Sequence, residues 1–173
     1  MRSLTRLASI VLTVAGIALY VGNTQAATSP AASEFYPLVG KWHGEGQLSQ
    51  PGQKPIKLSI SLHCRKASSG WAVRCAMVAK NKQMTMTESD LMGVDPVTGQ
   101  AHWYAITNQG ETHDHLVSWP GPHHMKAHYD WTQDGKHMHE DIQFEISNKH
   151  VHFASVVSAN GKKADEFEGK LKR

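Results

Sequence analysis

Histidine is the residue type with the widest chemical scope in this chain, because 12 of the 173 residues are His and none lies in the first 26. A neutral imidazole binds transition metals, and the ring changes charge between about pH 5 and pH 8. Such a chain can support metal or haem ligation, a charge that depends on pH, or hydrogen bonding inside a ligand cavity. Which of these applies depends on the elements that position the rings.

Turn-forming residues recur about every ten positions after Ser33, and the runs between them alternate in polarity. This spacing predicts an all-β fold, a closed antiparallel meander barrel of about ten strands, because closure removes exposed sheet edges. We expect a loose segment over 27–36, within which Ser33 to Leu38 can form a short helical turn, and a barrel domain over 37–173. The predicted strands lie near residues 40–48, 55–66, 70–80, 83–93, 100–107, 112–119, 123–132, 137–147, 150–158 and 164–172.

The N-terminal residues 1–26 have the pattern of a secretory signal peptide. Two arginines precede an apolar run over 7–22, and Thr24 and Ala26 are small residues at the −3 and −1 positions. We expect cleavage after Ala26, which leaves a periplasmic or secreted protein with no stable membrane anchor. The alternative is an uncleaved anchor, but the run of about 15 residues is shorter than the roughly 20 that span a bilayer.

The rest of the composition narrows the function classes. The chain is 40% hydrophobic and 19% charged, as in a globular domain. Outside the leader the 18 basic residues fall to 16 against 15 acidic ones, a balance that predicts no nucleic-acid partner. There is no nucleophile elbow, phosphate-binding loop or H-E-x-x-H motif. Catalysis is therefore the least supported hypothesis, and a small-molecule ligand is the expected partner.

Two segments resemble a known group of proteins. The pattern G-x-W-x-G-x-G at residues 40–46 resembles the opening strand of lipocalin-like small β-barrels of bacterial exported proteins, and is distantly similar to nitrobindin-type haem barrels. The segment 91–99 resembles a mid-chain hairpin of the first group. The resemblance implies a ten-stranded barrel with an internal ligand cavity but no particular reaction. Independently, glycines at alternate positions let a strand bend sharply, with Trp42 closing the barrel end.

The two cysteines are predicted to form a cross-strand disulfide. A tight turn at residues 69–70 places Cys64 directly opposite Cys75 on the apolar face of a hairpin. Opposed strand positions bring Cβ atoms to about 4.5–5.5 Å, near disulfide range, and an oxidising compartment favours the bond. The alternative is a pair of reduced core cysteines.

Hairpin turns at Asp134-Gly135 and Asn148-Lys149 place six histidines on one polar face opposite several carboxylates. One interpretation is a solvated outer wall with cross-strand His–carboxylate pairs. The other is a metal site at His124, Glu145 and His152, which lie in one row across three strands and offer ligands suited to zinc or copper. The six are His124, His128, His137, His139, His150 and His152.

The opposite face of the barrel collects a second histidine cluster. A loop over 120–122 is predicted to pair Val117 with Met125 and His115 with Ala127, so that His113 and His115 point inward with Tyr129. A two-residue turn at 109–110 pairs Tyr104 with His115 and His102 with Val117, also inward. A related register brings Asp90 and Glu88 close to them. Polar groups inside an apolar barrel need partners or a ligand, so a satisfied hydrogen-bond network and a ligand site both remain open.

From these patterns we predict an exported, non-catalytic barrel that binds a small, partly apolar ligand. Trp103 or Tyr104 contributes to the apolar wall, and histidines orient a polar group of the ligand. The alternative is a periplasmic metal- or haem-binding protein that uses the inner cluster or the outer row. Haem would need His113 or His115, because the late histidines face outward in this register. The predicted ligand-binding residues are Trp42, His102, Tyr104, His113, His115, Met125 and Tyr129.

Overall fold

The computed structural model of the protein describes residues 32–173. The predicted signal peptide over 1–26, with its cleavage site after Ala26, lies outside the described residues. Within the described part of the chain, no helix is long and apolar enough to cross a membrane.

Ten antiparallel strands form a closed barrel in which each strand pairs with its neighbours in sequence and β1 also pairs with β10. The all-β, ten-stranded prediction is therefore confirmed. The strands are β1 (Gly40–Ser49), β2 (Ile56–Ala67), β3 (Ala72–Lys80), β4 (Thr85–Val94), β5 (Ala101–Thr107), β6 (Thr112–Gly121), β7 (His124–Gln133), β8 (Lys136–Ile146), β9 (His150–Ala159) and β10 (Lys162–Lys172).

Alternating side chains explain why these runs close around a core. On β2, Leu58, Ile60 and Leu62 are buried, while the residues between them face outward. Cys64 of the same face pairs with Cys75 of β3, and the two form a disulfide, as predicted. The disulfide joins two neighbouring strands from inside the barrel, where both cysteines are buried.

The glycines of the opening strand permit close approach of β10 and of core side chains. A Cβ atom at Gly44 would lie within contact distance of the Lys170 backbone oxygen, and one at Gly46 would meet the side chain of Ile60. These positions need hydrogen in place of a side chain because the strands of the barrel come together there, rather than because of an unusual φ angle. The G-x-W-x-G-x-G pattern therefore marks the seam where the barrel closes.

A short 3-10 helix over Ala32–Leu38 covers one end of the barrel beside this seam. Trp42 is fully buried and donates its indole N–H to the Leu38 oxygen at 2.7 Å, which confirms that it closes the barrel end. Phe35 of the helix is also fully buried and packs edge-on against Trp119. The described part of the segment predicted to be loose, residues 32–36, is thus ordered helix, since its apolar side chains cover the core.

Replacing Gly44 by Ala tests the close approach at the seam. We expect the free energy of unfolding to fall by about 3 kcal/mol or more, because the added methyl meets backbone of β10 that cannot move alone. The control is Gly121→Ala, where a Cβ meets no atom within 4 Å and which we expect to change stability by less than about 0.5 kcal/mol. Urea unfolding measures the free energy of unfolding of both variants. Equal effects of the two substitutions would contradict the close approach of β1 and β10 at the seam.

Candidate functional site

The barrel encloses a cavity of about 440 Å³. This volume lies within the usual range of about 300–1,000 Å³ for small-molecule sites. Its wall is mainly apolar and includes Met77, Met84, Met86, Met92 and Met138 together with aromatic rings. The aromatic residues are Trp103, Trp131, Phe144, Phe153 and Phe167.

A compact group of polar side chains also lines the cavity, and its centre is the carboxylate of Glu140 on β8. The Nε2 atom of His115 lies 3.0 Å from one carboxylate oxygen of Glu140, and Nδ1 of His113 lies 3.5 Å from the same oxygen. Ser155 donates its hydroxyl to the other oxygen at 2.5 Å. We call His113, His115, Glu140 and Ser155 the polar pole of the cavity.

Strand geometry brings these residues together. His113 and His115 are two apart on β6, so both rings point into the barrel. Glu140 and Ser155 lie on β8 and β9, where Ser155 pairs with Ile142, two residues from Glu140 on the same face. The rings of β6 reach Glu140 across β7 by packing on Tyr129, whose ring stacks on His113 with centroids 4.7 Å apart.

His115 is the most deeply buried member of the polar pole, with 2% of its surface exposed. Its Nδ1 atom lies 3.2 Å from the backbone oxygen of Trp103, and its ring packs against the indole at 4.8 Å. Both nitrogens of the His115 ring therefore face an acceptor, one the backbone oxygen of Trp103 and the other the carboxylate of Glu140.

The pKa of Glu140 reflects this environment. Burial alone would raise it, but hydrogen bonds from His113, His115 and Ser155 outweigh burial and lower the pKa from 4.5 to about 2. Glu140 therefore stays ionised inside the barrel at neutral pH.

A second pair of acids, Glu88 and Asp90 on β4, borders the same cavity. Burial raises the pKa of Glu88 well above its usual range, and the nearby charges of Asp90 and Glu140 raise it further. Burial also raises the pKa of Asp90, although Asp90 accepts hydrogen bonds from Glu88 and from the Trp103 indole, the latter at 2.8 Å. These two carboxyl groups are hydrogen-bonded to each other, so the proton that Glu88 retains is shared between them.

The predicted ligand-binding residues occupy different places. His113 and His115 line the cavity, as do Asp90 and Glu88. Met125 is fully buried in the core. Tyr129 faces inward, where its ring supports the two histidines. Of the two aromatic residues considered for the wall, Trp103 lines the cavity.

The prediction that His102 and Tyr104 face inward is wrong. Tyr104 pairs with Asp114 and is 46% exposed, while His102 stacks on Tyr104 outside the barrel and contacts Asp114 at 2.9 Å. The turn has three residues, 108–110, and is closed by a hydrogen bond from Thr107 N–H to the Glu111 oxygen; its last residue, Gly110, is in a left-handed conformation. A loop one residue longer than predicted shifts the pairing by one and moves every side chain of β5 to the other face.

The pairing of β6 with β7 also differs from the prediction, but by two residues. Val117 pairs with Ala127 instead of Met125, and a bulge lies between Ser118 and Gly121. A shift of two preserves the faces, which is why His113, His115 and Tyr129 still point inward. The predicted pairing of His115 with Ala127 is therefore wrong, while its inward orientation is confirmed.

The outer face has the predicted register. His124 pairs with Glu145, and Glu145 pairs with His152. His139 contacts Asp130 at 2.8 Å and Asp141 at 3.1 Å, so the interpretation as cross-strand His–carboxylate pairs is supported there. In the His124–Glu145–His152 row, His152 lies 4.0 Å from Glu145. Among residues 32–173, the one set of three such donors that converge within 4.8 Å is His113, His115 and Glu140, and metal binding by the outer row stays a prediction.

No protein-family model matches the chain, and no curated protein matches it either. Among solved structures, Rv2717c from M. tuberculosis has a TM-score of 0.62 at 14% identity, covering 85% of this chain and 99% of that chain. The S-type phycobiliprotein lyase CPES from Guillardia theta has a TM-score of 0.57 at 10% identity, covering 82% and 90%. The likeness is one of fold. Together with the closed ten-stranded barrel, it fits a lipocalin-like barrel.

The nitrobindin-type resemblance implies an axial histidine that lies late in the chain and points inward, and haem binding by His113 or His115 instead stays a prediction. Here His150 and His152 of β9 face outward, whereas the inward positions between and after them are Val151, Phe153 and Ser155. The late strand therefore offers no imidazole to the cavity within the described residues.

In the sequence, the two-residue turn at Asp134-Gly135 predicts that Glu140 lies opposite Tyr129 on the mostly apolar face, and no pattern connects Glu140 to the two histidines. The register itself is confirmed, since Tyr129 pairs with Glu140. A lone carboxylate predicted on an apolar face is the signal that could have identified it, because such a group must find donors or a cation.

Acid should destabilise the protein through Glu140. Because its folded pKa is depressed, its stabilisation is complete above the unfolded value of 4.5 and is lost as the pH falls towards about 2. We expect a loss on the order of 3 kcal/mol over that range, reduced in Glu140→Gln and unchanged in Glu145→Gln on the outer face of the same strand. Urea unfolding at several pH values measures this. Identical pH profiles for the wild type and Glu140→Gln would contradict the assignment.

Proposed function

We propose that this protein binds a small, partly apolar ligand inside the barrel and acts as a binding protein rather than an enzyme. The observation that carries the proposal is the cavity of about 440 Å³, which combines a largely apolar wall with the compact group of polar side chains at the polar pole. This combination is typical of sites that bury a small molecule and orient it through a few polar contacts.

The wall suits a ligand with a flat or irregular apolar part. Methionine side chains are unbranched and polarizable, so they adapt to irregular shapes and make favourable contacts with aromatic rings. Five of them face the cavity together with the indoles of Trp103 and Trp131. A ligand can therefore pack between sulfur atoms and rings without a large rearrangement of the barrel.

The polar pole would orient the ligand. His115 is committed to Glu140 and to the Trp103 oxygen, and Ser155 is committed to Glu140. His113 is more accessible, with 19% of its side chain exposed and a longer contact of 3.5 Å to Glu140. We therefore assign the first polar contact of the ligand to His113, with the other three residues fixing the position of its ring. This mutual pairing also favours binding over proton transfer to a substrate.

The same proposal places the protein outside the cytoplasm. Disulfides persist in oxidising compartments, and Cys64–Cys75 is such a bond within the barrel. The signal-peptide pattern over 1–26 agrees with this location. N-terminal sequencing of protein from the periplasm or medium should begin at Ala27. A chain that begins at Met1 and stays in the cytoplasm would contradict export.

Filling the cavity should weaken ligand binding. The probe is N-phenyl-1-naphthylamine, a neutral fluorescent molecule that reports on enclosed apolar sites. Val157 lines the cavity, so we expect Val157→Trp to occupy the space and weaken the probe's affinity by about tenfold or more, equivalent to about 1.4 kcal/mol.

The matched control is the next residue along the same strand. Val156 points outward and pairs with Asp141 and Glu166, so Val156→Trp should leave the affinity unchanged. If the wild-type protein does not bind the probe, or if both variants bind it as the wild type does, an internal ligand site is contradicted.

A further inference from the structure

Three metal-ligating atoms converge at the polar pole. One nitrogen of His113, one nitrogen of His115 and one carboxylate oxygen of Glu140 all lie within 4.8 Å of one another. Two of the separations are known individually, 3.0 Å from His115 and 3.5 Å from His113 to the same oxygen of Glu140. Ligands at about 2.0–2.2 Å around a tetrahedral ion lie about 3.3 Å apart, so these distances match the edges of such a site.

We propose that His113, His115 and Glu140 bind a divalent transition-metal ion, best matched by Zn²⁺, with one coordination position open towards the ligand cavity. Two histidines and one glutamate, with a fourth position left for water or another molecule, form a donor set that zinc uses in proteins. This inference rests on the proposed function and deepens it, because the ligand in the cavity could then coordinate the ion directly.

The surrounding contacts prepare the donors for a metal. The Nδ1 atom of His115 faces the Trp103 backbone oxygen at 3.2 Å, and a proton held there leaves Nε2 as the atom that faces the cluster. A hydrogen bond of this kind commonly fixes the tautomer and orientation of a metal-bound histidine. Ser155 plays the same part for Glu140, because its hydroxyl occupies one carboxylate oxygen and leaves the other facing the rings.

Charge also favours a cation at this place. Glu140 is 13% exposed, and Glu88 and Asp90 border the same cavity. Of these groups Glu140 is the one that stays ionised, and a divalent ion interacts more strongly with a buried carboxylate than with one in solvent. In the metal-free protein the rings of His113 and His115 contact Glu140 directly, and the ion would take the place of these contacts.

The open position defines the ligand class. The apolar wall adjoins the polar pole, so a molecule lying against the methionines and aromatic rings would present one end to the ion. The end that binds is an oxygen or sulfur donor with negative charge, such as a carboxylate, hydroxamate or thiolate.

The test uses the full-length protein, expressed with its leader, purified from the exported fraction without a tag and stripped of metal. Co²⁺ is the probe, because its visible absorption reports tetrahedral coordination. We expect one tightly bound equivalent of Co²⁺, displaced by Zn²⁺. Benzohydroxamic acid should then change the Co²⁺ spectrum, whereas benzamide, which has the same ring and no hydroxamate, should not.

Matched variants separate the inner site from the histidine-rich outer face. We expect His113→Asn and Glu140→Gln to weaken Co²⁺ binding by more than about 100-fold, because each removes a ligand. Ser155→Ala should weaken it by about 10- to 100-fold, as expected for a residue that only orients one. Glu145→Gln on the same strand as Glu140 and His128→Asn on the outer face should have no effect. If Glu140→Gln does not fold, as judged by circular dichroism, the partly exposed His113 position still decides the question.

Two results would overturn the proposal. One is Co²⁺ binding that is unchanged by the inner variants, which would place the ion on the outer histidines. The other is the absence of any tetrahedral spectrum at one equivalent. Probe binding by the metal-free protein distinguishes this failure from failure of the proposed function. If N-phenyl-1-naphthylamine binds while Co²⁺ does not, only the metal site is wrong, and if neither binds, both proposals are.

Discussion

The ionised carboxylate of Glu140 is the constraint on which the interior of this barrel depends. A carboxylate taken out of water is costly unless donors replace the solvent, and here His113, His115 and Ser155 supply them. That requirement orders the elements around it. β6 must present two histidines inward, β9 must present a hydroxyl, and the Trp103 backbone oxygen must hold the ring of His115. The polar pole is therefore one compact group in a cavity wall that is largely apolar.

The cavity therefore offers different surroundings to different parts of a ligand. Apolar burial by methionines and aromatic rings accounts for most of the wall, and it places no strong demand on the shape of a ligand. The polar pole supplies orientation, and its three converging donors offer a position for a cation. The outer face uses the same residue type for a different purpose, since its histidines pair with exposed carboxylates such as Asp130. The histidines of the polar pole and those of the outer face have different roles because they differ in burial, not because they differ in number.

Much of this arrangement could be predicted from sequence, and the exceptions have physical causes. The hairpin at Asp134-Gly135 closes with two left-handed residues, the conformation that such a turn requires, so its register was predictable. The loop at Gln109-Gly110 contains a similar glycine but has three residues, and the single extra residue turned Tyr104 outward. The contact of Glu140 with His113 spans an intervening strand, so it depends on barrel curvature and on a bulge in β6, which no local pattern reveals.

The protonation state of Glu140 is the most direct test of this account. Carbon-13 NMR of the side-chain carboxyl groups, with Glu140→Gln used to assign the signal, would follow its titration in the metal-free folded protein. We expect the Glu140 signal to keep its ionised position far below pH 4.5, towards about 2 or to the point where the protein unfolds. A titration midpoint at or above 4.5 in the folded state would instead show that burial outweighs the three donors.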